Sequence, residues 1–272
     1  MHPRRIEGRI LKSVYQANRD FETVQPNDRI LVAVSGGKDS FGMLWALLKM
    51  KAAAPYPIDL VAFHLDQAQP GHDPTPIENH FKELGVDYEI EKQDTYSRVV
   101  ALTVPGKVYC SLCSRFRRAI LYKAATRHNC NKVALGHHRD DLIETLLLNV
   151  FFSGQIKSMP PRLRSDSGNH EIIRPLCYVA EEDLIALAKH MEFPVVPCKL
   201  CGSQEKERKF IKDLLTDLSK RSPHIKGNLM SALGQVHLSH LLDKRYNPNL
   251  ACSRNEAATT LKVLNNLVSD SG

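Results

Sequence analysis

The stretch RILVAVSGGKDSFGMLWALLKM, residues 29–50, decides the fold. Residues 29–34 are almost entirely apolar, which predicts a short strand buried on both faces, and residues 41–50 have the spacing of a helix. The segment from Ser35 to Ser40 is therefore predicted to be the loop that joins a buried strand to a helix.

This loop has the composition of a phosphate-binding loop. Gly36 and Gly37 allow the backbone to approach a ligand closely, and the free N–H groups at the start of a helix attract anions. Ser35, Ser40 and Lys38 add side-chain donors. A Gly-Gly turn without chemistry is the alternative, but the order of strand, loop and helix favours a site for phosphate oxygens.

The loop differs from a Walker A loop in two places. Val32 stands where the first Walker glycine belongs, and Asp39 follows the lysine in place of Ser or Thr. An acid beside phosphates would repel the ligand unless it held a cation. We therefore expect Asp39 to bind a divalent ion such as magnesium.

The composition of the chain is that of an ordinary soluble protein. Its 272 residues are 43% apolar and 25% charged, which is enough for one sizeable core and a smaller second unit. No apolar stretch reaches the length of a membrane span, and the basic N-terminus lacks the apolar segment of a signal peptide, so we expect a cytoplasmic protein. The net charge of +7 favours a polyanionic partner such as nucleic acid.

Apolar runs alternate with helical patterns along most of the chain, which predicts an α/β fold with a doubly wound, parallel, five-stranded sheet. The strand-like runs are residues 29–34, 58–65, 88–91, 132–135 and 171–174, and the helix-like runs are residues 41–50, 77–84, 115–127, 142–152 and 181–191. Residues 153–169 read as a polar loop. Beyond Phe193 the character changes, and residues 206–219 and 229–242 are predicted to form two further helices.

Two other strand ends are expected to face the same crevice as the loop. One is His64–Asp66, where a histidine satisfied within the core is the simpler interpretation of His64. The other is Gly136–Asp141, sequence GHHRDD, where two histidines and two acids exceed what a turn requires. Helix capping by Asp140 or Asp141 is the alternative, and it would need only one acid.

Four of the seven cysteines form two CxxC pairs, Cys110 with Cys113 and Cys198 with Cys201. In a cytosolic chain these are expected to be metal ligands or reactive thiols, not disulfides. A Cys₄ zinc site, an iron–sulfur cluster, and one metal pair beside one persulfide pair all remain open. The isolated cysteines are expected to be buried or incidental: Cys130, Cys177 and Cys252.

Basic residues follow both pairs, and they are predicted to track a phosphate backbone towards the crevice. They are Arg115, Arg117, Arg118, Lys123 and Arg127 after the first pair, and Lys206, Arg208, Lys209 and Lys212 after the second. Solvated helix faces are the alternative, because Glu205 and Glu207 interrupt the second run.

The motifs together carry a family resemblance that spans residues 30–204. Residues 35–40, SGGKDS, resemble the PP-loop of the ATP pyrophosphatases, which cut ATP between its α and β phosphates. Further motifs in the family's order resemble the tRNA 2-thiocytidine synthetases, the TtcA family: CSLCSRFRRAIL, ALGHHRDD, MPPRLRSD, IRPL and PCKLCGSQ. The resemblance implies a fold of the adenine nucleotide alpha hydrolase type. It divides the chain into an N-terminal helical segment (1–28), a PP-loop domain (29–204) and a helical C-terminal extension (205–272).

The resemblance also implies the chemistry. An anticodon-loop cytidine of tRNA, position 32, would be adenylated on its C2 oxygen and then thiolated. A [4Fe–4S] cluster would be held by Cys110, Cys113 and Cys201, with Cys198 as the weaker candidate. One iron would be left open to carry sulfur.

The remaining assignments are also carried by the resemblance. ATP would be bound by the PP-loop, with Gly136 allowing close approach of the adenine side and Asp141 orienting the nucleotide or the magnesium held by Asp39. A sulfur donor such as a cysteine desulfurase and a homodimer are implied as well. The alternatives are an iron–sulfur-dependent tRNA 2-thiouridine synthetase, an amine-adding PP-loop ligase, and a zinc-stabilised, non-catalytic RNA-binding protein.

Overall fold

A computed structural model describes residues 3–102, 110–165, 168–196 and 205–243, without the side chains of residues 110–112 and 205. The helices are α1 (Pro3–Phe21), α2 (Lys38–Ala53), α3 (Thr75–Leu84), α4 (Thr95–Leu102), α5 (Cys110–Arg127), α6 (Arg139–Ser153), α7 (Glu181–His190), α8 (Glu205–Arg221) and α9 (Ile225–Gly234). The strands are β1 (Arg29–Ala33), β2 (Asp59–Asp66), β3 (Asp87–Lys92), β4 (Lys132–Ala134), β5 (Arg162–Arg164) and β6 (Glu171–Ile173).

The sheet has the order β3-β2-β1-β4-β6-β5. The five predicted strands are present and parallel, which confirms the α/β fold class, and β5 adds an antiparallel edge that the sequence analysis missed. The prediction of a polar loop over residues 153–169 was wrong there, because a three-residue edge strand, Arg-Leu-Arg, carries no alternating apolar pattern. Charged residues are typical of exposed edges.

The central strand β1 is buried on both faces, as predicted. Ile30 and Val32 pack into a core with helices α1, α2 and α7, while Leu31 points to the opposite face, where α5 covers Val133. Successive strand side chains point to opposite faces, so an uninterrupted apolar run fits a strand covered by helices on both sides.

The helices differ from the sequence analysis in two places. The helix predicted over residues 229–242 ends at Gly234, and a single 3-10 turn follows at Leu238–His240. Helix α4 was not predicted, because its eight residues offer little apolar periodicity. Both cases are short elements, for which the local pattern is weakest.

Residues 1–227 form one compact unit, and a second unit begins at Asn228. Within the first unit, α1 packs against α7, and α8 packs against α6. The predicted boundaries at residues 28 and 204 stay predictions. None of the helices in the described ranges is long and apolar enough to cross a membrane.

Strand β1 lies between β2 and β4, so the connections leave it in opposite directions across the sheet. At such a switch point the carboxyl ends of neighbouring strands open a crevice that binds ligands in α/β proteins. The loop from Ser35 to Ser40 follows β1, and the turn from Gly136 to His138 follows β4. Both candidate motifs therefore lie at the same end of the sheet.

Candidate active site

A cavity of about 550 Å³ opens at the carboxyl ends of β1, β2 and β4. Part of its lining is apolar: Ala33, Val34, Phe63, Leu65, Leu121, Leu135, Val195 and Val196. The rest combines the predicted loop with polar side chains: Ser35, Gly37, Lys38, Asp39, Ser40, Gln67, Arg117, His137 and Asp141, with Gly136 between them. An apolar slot beside convergent polar groups is the usual form of a small-molecule site.

The loop leaves the start of α2 open for an anion. Gly37 precedes the helix and provides no side-chain cap. Ser40 is used inside the loop, where its hydroxyl donates to the Gly37 carbonyl at 2.8 Å and accepts from the Ser35 N–H at 3.1 Å. The serine bonds thus stabilise the loop, while uncapped N–H groups at the helix start are suited to phosphate oxygens.

Gly36 adopts a left-handed backbone conformation with φ of +88°. Its carbonyl accepts a hydrogen bond of 3.0 Å from the Val196 N–H, and a Cβ on Gly36 would lie 3.2 Å from Ile77 Cδ1. Glycine is therefore required here by both the backbone angle and the packing. This bond also fixes the segment at Val196 against the loop.

Lys38 is partly buried between two carboxylates. Its ammonium lies 3.1 Å from Asp39 and 3.2 Å from Glu181, the first residue of α7. Burial alone would lower the pKa of Lys38, but Asp39 and Glu181 raise it above its ordinary value. The lysine is therefore a fixed cation at the mouth of the loop, and Glu181 is a site residue that the sequence analysis missed.

Gly136 packs closely on the phosphate loop. A Cβ at this position would lie 3.2 Å from the Asp39 carbonyl and from Ser40 Cα. The contact is made to the backbone of the phosphate loop, so Gly136 sets how closely the β4 end packs on that loop. A backbone neighbour cannot rotate away as a side chain would.

Asp39 and Asp141 flank the buried ring of His138. The His138 Nε2 atom lies 3.8 Å from Asp39 and 3.4 Å from Asp141. Asp141 also accepts a 3.1 Å hydrogen bond from the His138 N–H as half of a capping box at the start of α6. The capping alternative thus holds for Asp141, although its side chain lines the cavity as well.

The two acids fit a magnesium ion that is shared with phosphates. Oδ1 of Asp39 is buried and accepts no hydrogen bond in the described part of the chain, although the Lys38 ammonium lies 3.1 Å from it. In those ranges no group of three or more His, Cys, Asp or Glu side chains is placed to hold a metal by itself. Magnesium commonly takes one or two carboxylates and completes its shell with substrate phosphates and water.

The first cysteine pair lies beside the cavity. The Cys113 thiol donates to Gln67 Oε1 at 3.3 Å, and Gln67 lines the cavity. Cys110 is the first residue of α5, but its side chain lies outside the described part, as do Cys198 and Cys201. Val196, whose N–H donates to the Gly36 carbonyl, comes two residues before Cys198 in the sequence.

The isolated cysteines in the described ranges are buried, as predicted. Burial raises the pKa of Cys130 to about 11 and that of Cys177 to about 12. Neither thiol is ionised near neutral pH, and the thiolate is the reactive form. Cys252 lies outside the described residues.

Comparison with known proteins identifies the family. The PP-loop domain matches residues 7–217. The tRNA-cytidine(32) 2-sulfurtransferase of Anaeromyxobacter dehalogenans strain 2CP-C is 53% identical over 248 residues, 91% of this chain and 86% of that protein. The enzyme of the same name from Variovorax paradoxus strain S110 is 49% identical over 240 residues, 88% of this chain and 78% of that protein. The chain belongs to the tRNA-cytidine(32) 2-sulfurtransferase family. The resemblance drawn from the motifs is confirmed.

A solved structure supports the fold of this sulfurtransferase family member. The U34-tRNA thiolase NcsA from Methanococcus maripaludis, solved with its [4Fe-4S] cluster, aligns with a TM-score of 0.66 at 20% identity. The alignment covers 88% of this chain and 87% of that chain. The PP-loop architecture is therefore shared by proteins of distant sequence.

Two basic residues of helix α8, Arg208 and Lys212, form ion pairs with Glu144 of α6. Glu144 on α6 is only 2% exposed, and burial raises its pKa, although the ammonium of Lys212 and the guanidinium of Arg208 oppose that shift. Arg208 lies 3.1 Å from Glu144, and Lys212 lies 3.6 Å from it. A buried carboxylate needs such counter-charges, so Arg208 and Lys212 contribute to the fold here. The prediction that they track a phosphate backbone stays a prediction.

Proposed function

We propose that this protein carries out ATP-dependent thiolation of cytidine 32 in the anticodon loop of tRNA. One observation carries the proposal. The cavity is lined by a phosphate-binding loop and by Gln67, and Gln67 accepts a hydrogen bond from the thiol of Cys113 in the first CxxC pair. The named activity of its family relatives supports the same reaction. A phosphate loop alone would fit many nucleotide-binding proteins, whereas a thiol beside it points to sulfur chemistry.

The reaction needs activation because the C2 oxygen of cytosine is amide-like and leaves poorly. That oxygen forms a bond to the α-phosphorus of ATP, the bond to the bridging oxygen breaks, and the electron pair leaves with pyrophosphate. Sulfide then adds at C2, and AMP departs with the former base oxygen. The products are 2-thiocytidine, AMP and pyrophosphate, and no oxidant or reductant is consumed.

Lys38 and the loop N–H groups are suited to the departing pyrophosphate. Charge grows on its oxygens as the bond breaks, and donors that are already oriented stabilise that charge without reorganisation. When ATP binds, the Lys38 ammonium would release Glu181 and contact a phosphate oxygen, because the carboxylate and the phosphate compete for the same ammonium. Lys212, which lies 3.7 Å from Glu181, would then remain as a partner of that carboxylate.

Magnesium would be held by Asp39, with Asp141 orienting the same ion or the nucleotide. The position of the Asp39 carboxylate, which lines the cavity beside the phosphate loop, supports this assignment. The ion would neutralise phosphate charge beside the loop. Asp141→Asn should slow adenylation, and an unchanged adenylation rate would remove Asp141 from the site.

A [4Fe–4S] cluster would be held by Cys110, Cys113 and Cys201. The fit rests on the donor set: the Cys113 thiol donates to Gln67 of the cavity, Cys110 precedes it by one helical turn, and the second pair follows Val196 by two residues in the sequence. When bound, the cluster supplies sulfur at the iron that no cysteine occupies. Cys198 then remains an auxiliary thiol.

The tRNA would approach across α5, on which Arg115, Arg117, Arg118 and Lys123 are exposed. Arg117 lines the cavity and so connects the phosphate-binding face with the site. The target base must be unpaired, because a stacked base cannot present C2 to the cavity. Substitution of Arg115 and Arg118 together should weaken tRNA binding and reduce its salt dependence.

Three finer expectations accompany this proposal. We expect a homodimer in the cytoplasm that receives sulfur from a donor such as a cysteine desulfurase. Light scattering of the purified protein tests the dimer, and fractionation of cells tests the location. Sulfur transfer from a purified desulfurase, without added sulfide, tests the donor.

Product analysis tests the proposed function. The protein, prepared without oxygen, is incubated with unmodified tRNA, ATP, magnesium and sulfide, and the nucleosides are separated by liquid chromatography and mass spectrometry. We expect 2-thiocytidine only when ATP is present. Formation of 2-thiouridine would identify the uridine enzyme, and the absence of any thiolated base with no ATP turnover would favour a non-catalytic RNA-binding protein.

Metal analysis tests the cluster independently of activity. We expect about four irons and four sulfides per chain, on the stoichiometry of a [4Fe–4S] cluster. Cys113→Ser should lose the cluster absorption, while the matched variant Cys177→Ala, which removes a buried inert thiol, should keep it. One zinc without sulfide would contradict the cluster.

A further inference from the structure

Three motifs meet at one side chain, Arg174 of the IRPL motif, and two of them, IRPL and MPPRLRSD, have no role in the chemistry above. Its Nε donates to His137 Nδ1 of GHHRDD at 3.3 Å, and its Nη1 donates to the Pro160 carbonyl of MPPRLRSD at 2.5 Å. The Arg174 N–H also donates to the Pro161 carbonyl at 2.8 Å. Arg174 is only 8% exposed, so this junction is buried beside the cavity.

The bond from Arg174 fixes the form of the His137 ring. A guanidinium has only donors, so the Nδ1 atom that it contacts must be an acceptor. The ring proton is then on Nε2, and the His137 side chain lines the cavity. Burial and the charge of Arg174 lower the pKa of His137 to about 4, so the ring is neutral near neutral pH.

The place of His137 in the cavity indicates which ligand group it meets. It follows Gly136, which packs on the backbone of Asp39 and Ser40, and so it lies at the phosphate-loop side of the cavity. Arg117 of the cysteine-bearing helix lines the same cavity. The reacting phosphorus must lie between the loop and the incoming base, which is the region that these residues border.

We propose that His137 is a further catalytic residue of the adenylation step, in which its Nε2–H donates to a non-bridging oxygen of the ATP α-phosphate, and that Arg174 is the positioning residue that fixes this tautomer. The inference rests on the proposed function and deepens it. As the cytosine oxygen bonds to the α-phosphorus and the pyrophosphate bond breaks, charge grows on the non-bridging oxygens. His137 keeps its proton throughout and stabilises that charge by a hydrogen bond.

A fixed neutral donor suits this step better than an imidazolium. The adenylated cytosine carries a positive charge, because its ring nitrogens take up the electron demand of the new bond. An imidazolium would repel that intermediate, whereas a neutral N–H donor binds the phosphate without adding charge. A ring without that bond also populates the tautomer that turns an Nε2 lone pair towards the phosphate, so the bond from Arg174 is what keeps Nε2 a donor.

The test measures adenylation alone. Transfer of radiolabel from the α-phosphate of ATP to tRNA is followed in single turnovers without a sulfur source, and ATP and tRNA binding are measured in parallel. His137→Phe should lower the rate roughly 10²-fold, as for one lost transition-state donor. His137→Gln keeps an N–H donor close to the Nε2 position and should remain within about tenfold of the native rate.

Arg174 is tested by the state of the His137 ring. Nitrogen NMR of the native protein should show an unprotonated Nδ1 and a protonated Nε2. Arg174→Met should mix the two tautomers and slow adenylation, and Arg174→Lys, which retains a donor, should restore both in part. An unchanged tautomer in Arg174→Met would remove the positioning role.

The outcomes separate this inference from the proposed function. If native protein forms no adenylated tRNA, the proposed function fails, and this inference fails with it. If native protein adenylates tRNA and His137→Phe does so at the same rate, only the inference fails. It is also overturned if His137→Phe weakens tRNA binding but reacts at the native rate when saturated, because His137 would then contact the base.

Discussion

Two lysines lie at opposite ends of the parallel strands, Lys132 at the amino ends (the amino edge) and Lys38 at the carboxyl ends (the carboxyl edge). Their surroundings differ. Lys132 at the amino end of β4 is 1% exposed and lies 2.7 Å from Asp28. It also donates to the Thr23 carbonyl at 3.1 Å and to Gln25 at 3.3 Å. Lys38 at the carboxyl edge has a side chain 27% exposed, and in the described ranges it pairs with two carboxylates, Asp39 and Glu181.

This difference indicates that Lys132 contributes to stability, whereas Lys38 is placed to bind a ligand. At the amino edge the chain provides every partner that Lys132 needs. At the carboxyl edge, in the described residues, no side chain caps α2, and Oδ1 of Asp39 accepts no hydrogen bond although the Lys38 ammonium lies 3.1 Å from it. Buried polar groups are normally hydrogen-bonded, so where the chain does not provide the partners, we expect a ligand to provide them.

The largest effect is expected at the amino edge. Lys132→Met removes the partner of buried Asp28, and an unpaired buried charge lowers the free energy of unfolding by about 3–5 kcal/mol. Denaturant unfolding checks this value, and the folded fraction should bind ATP with native affinity. The double variant with Asp28→Asn should recover part of the loss, and a double variant as unstable as the single one would contradict the pairing.

Lys38→Met is the matched change at the carboxyl edge. We expect adenylation to fall by roughly 10²–10³-fold, because a transition-state charge loses its partner. The free energy of unfolding should change by less than about 1 kcal/mol, as for a partly exposed ion pair. A large loss of stability with native adenylation would reverse the assignment of the two edges.

Gly136→Ala tests the close approach between β4 and the phosphate loop. The new methyl would lie 3.2 Å from backbone atoms of Asp39 and Ser40, so the loop must shift. Overpacking of this kind costs about 1–3 kcal/mol, and ATP affinity should fall with it. Gly8→Ala is the control, because a Cβ there meets nothing within 4 Å. Equal ATP affinity in both variants would contradict the packing argument.

The smallest effect concerns pH. Burial lowers the pKa of His137 from 6.5 to about 4, so the unfolded chain binds a proton before the folded chain does. The contribution of His137 to stability is therefore complete above pH 6.5 and is lost as the pH falls towards 4. His137→Gln should reduce the pH slope of the unfolding free energy by at most about 1.4 kcal/mol per pH unit. An unchanged slope would contradict a buried neutral ring.

Local patterns allowed much of the fold to be predicted. The run before Ser35 is apolar on both faces, and the glycines after it are adjacent in sequence, so a strand, a loop and a helix are readable without tertiary contacts. Strand β5 is not readable in this way. Its Leu163 is 46% exposed between two arginines, and only pairing with β6 makes it a strand.

The site shows the same limit. Lys38 and Asp39 are predictable because they belong to one continuous motif. Glu181 reaches Lys38 across 143 positions of sequence, and Arg174 reaches His137 across 37, so only the folded chain brings these pairs together. Ligation by Cys110 and Cys201 stays a prediction, because those side chains lie outside the described residues.

The most direct measurement follows the oxygen that leaves the base. An anticodon stem-loop with oxygen-18 at C2 of the target cytidine is incubated with the protein, ATP and sulfide. The masses of AMP, pyrophosphate and RNA are then measured by mass spectrometry. Adenylation of the base predicts that the label appears in AMP, with unlabelled pyrophosphate and one sulfur in the RNA. Label in pyrophosphate, or label retained in RNA while AMP is released, would contradict the account.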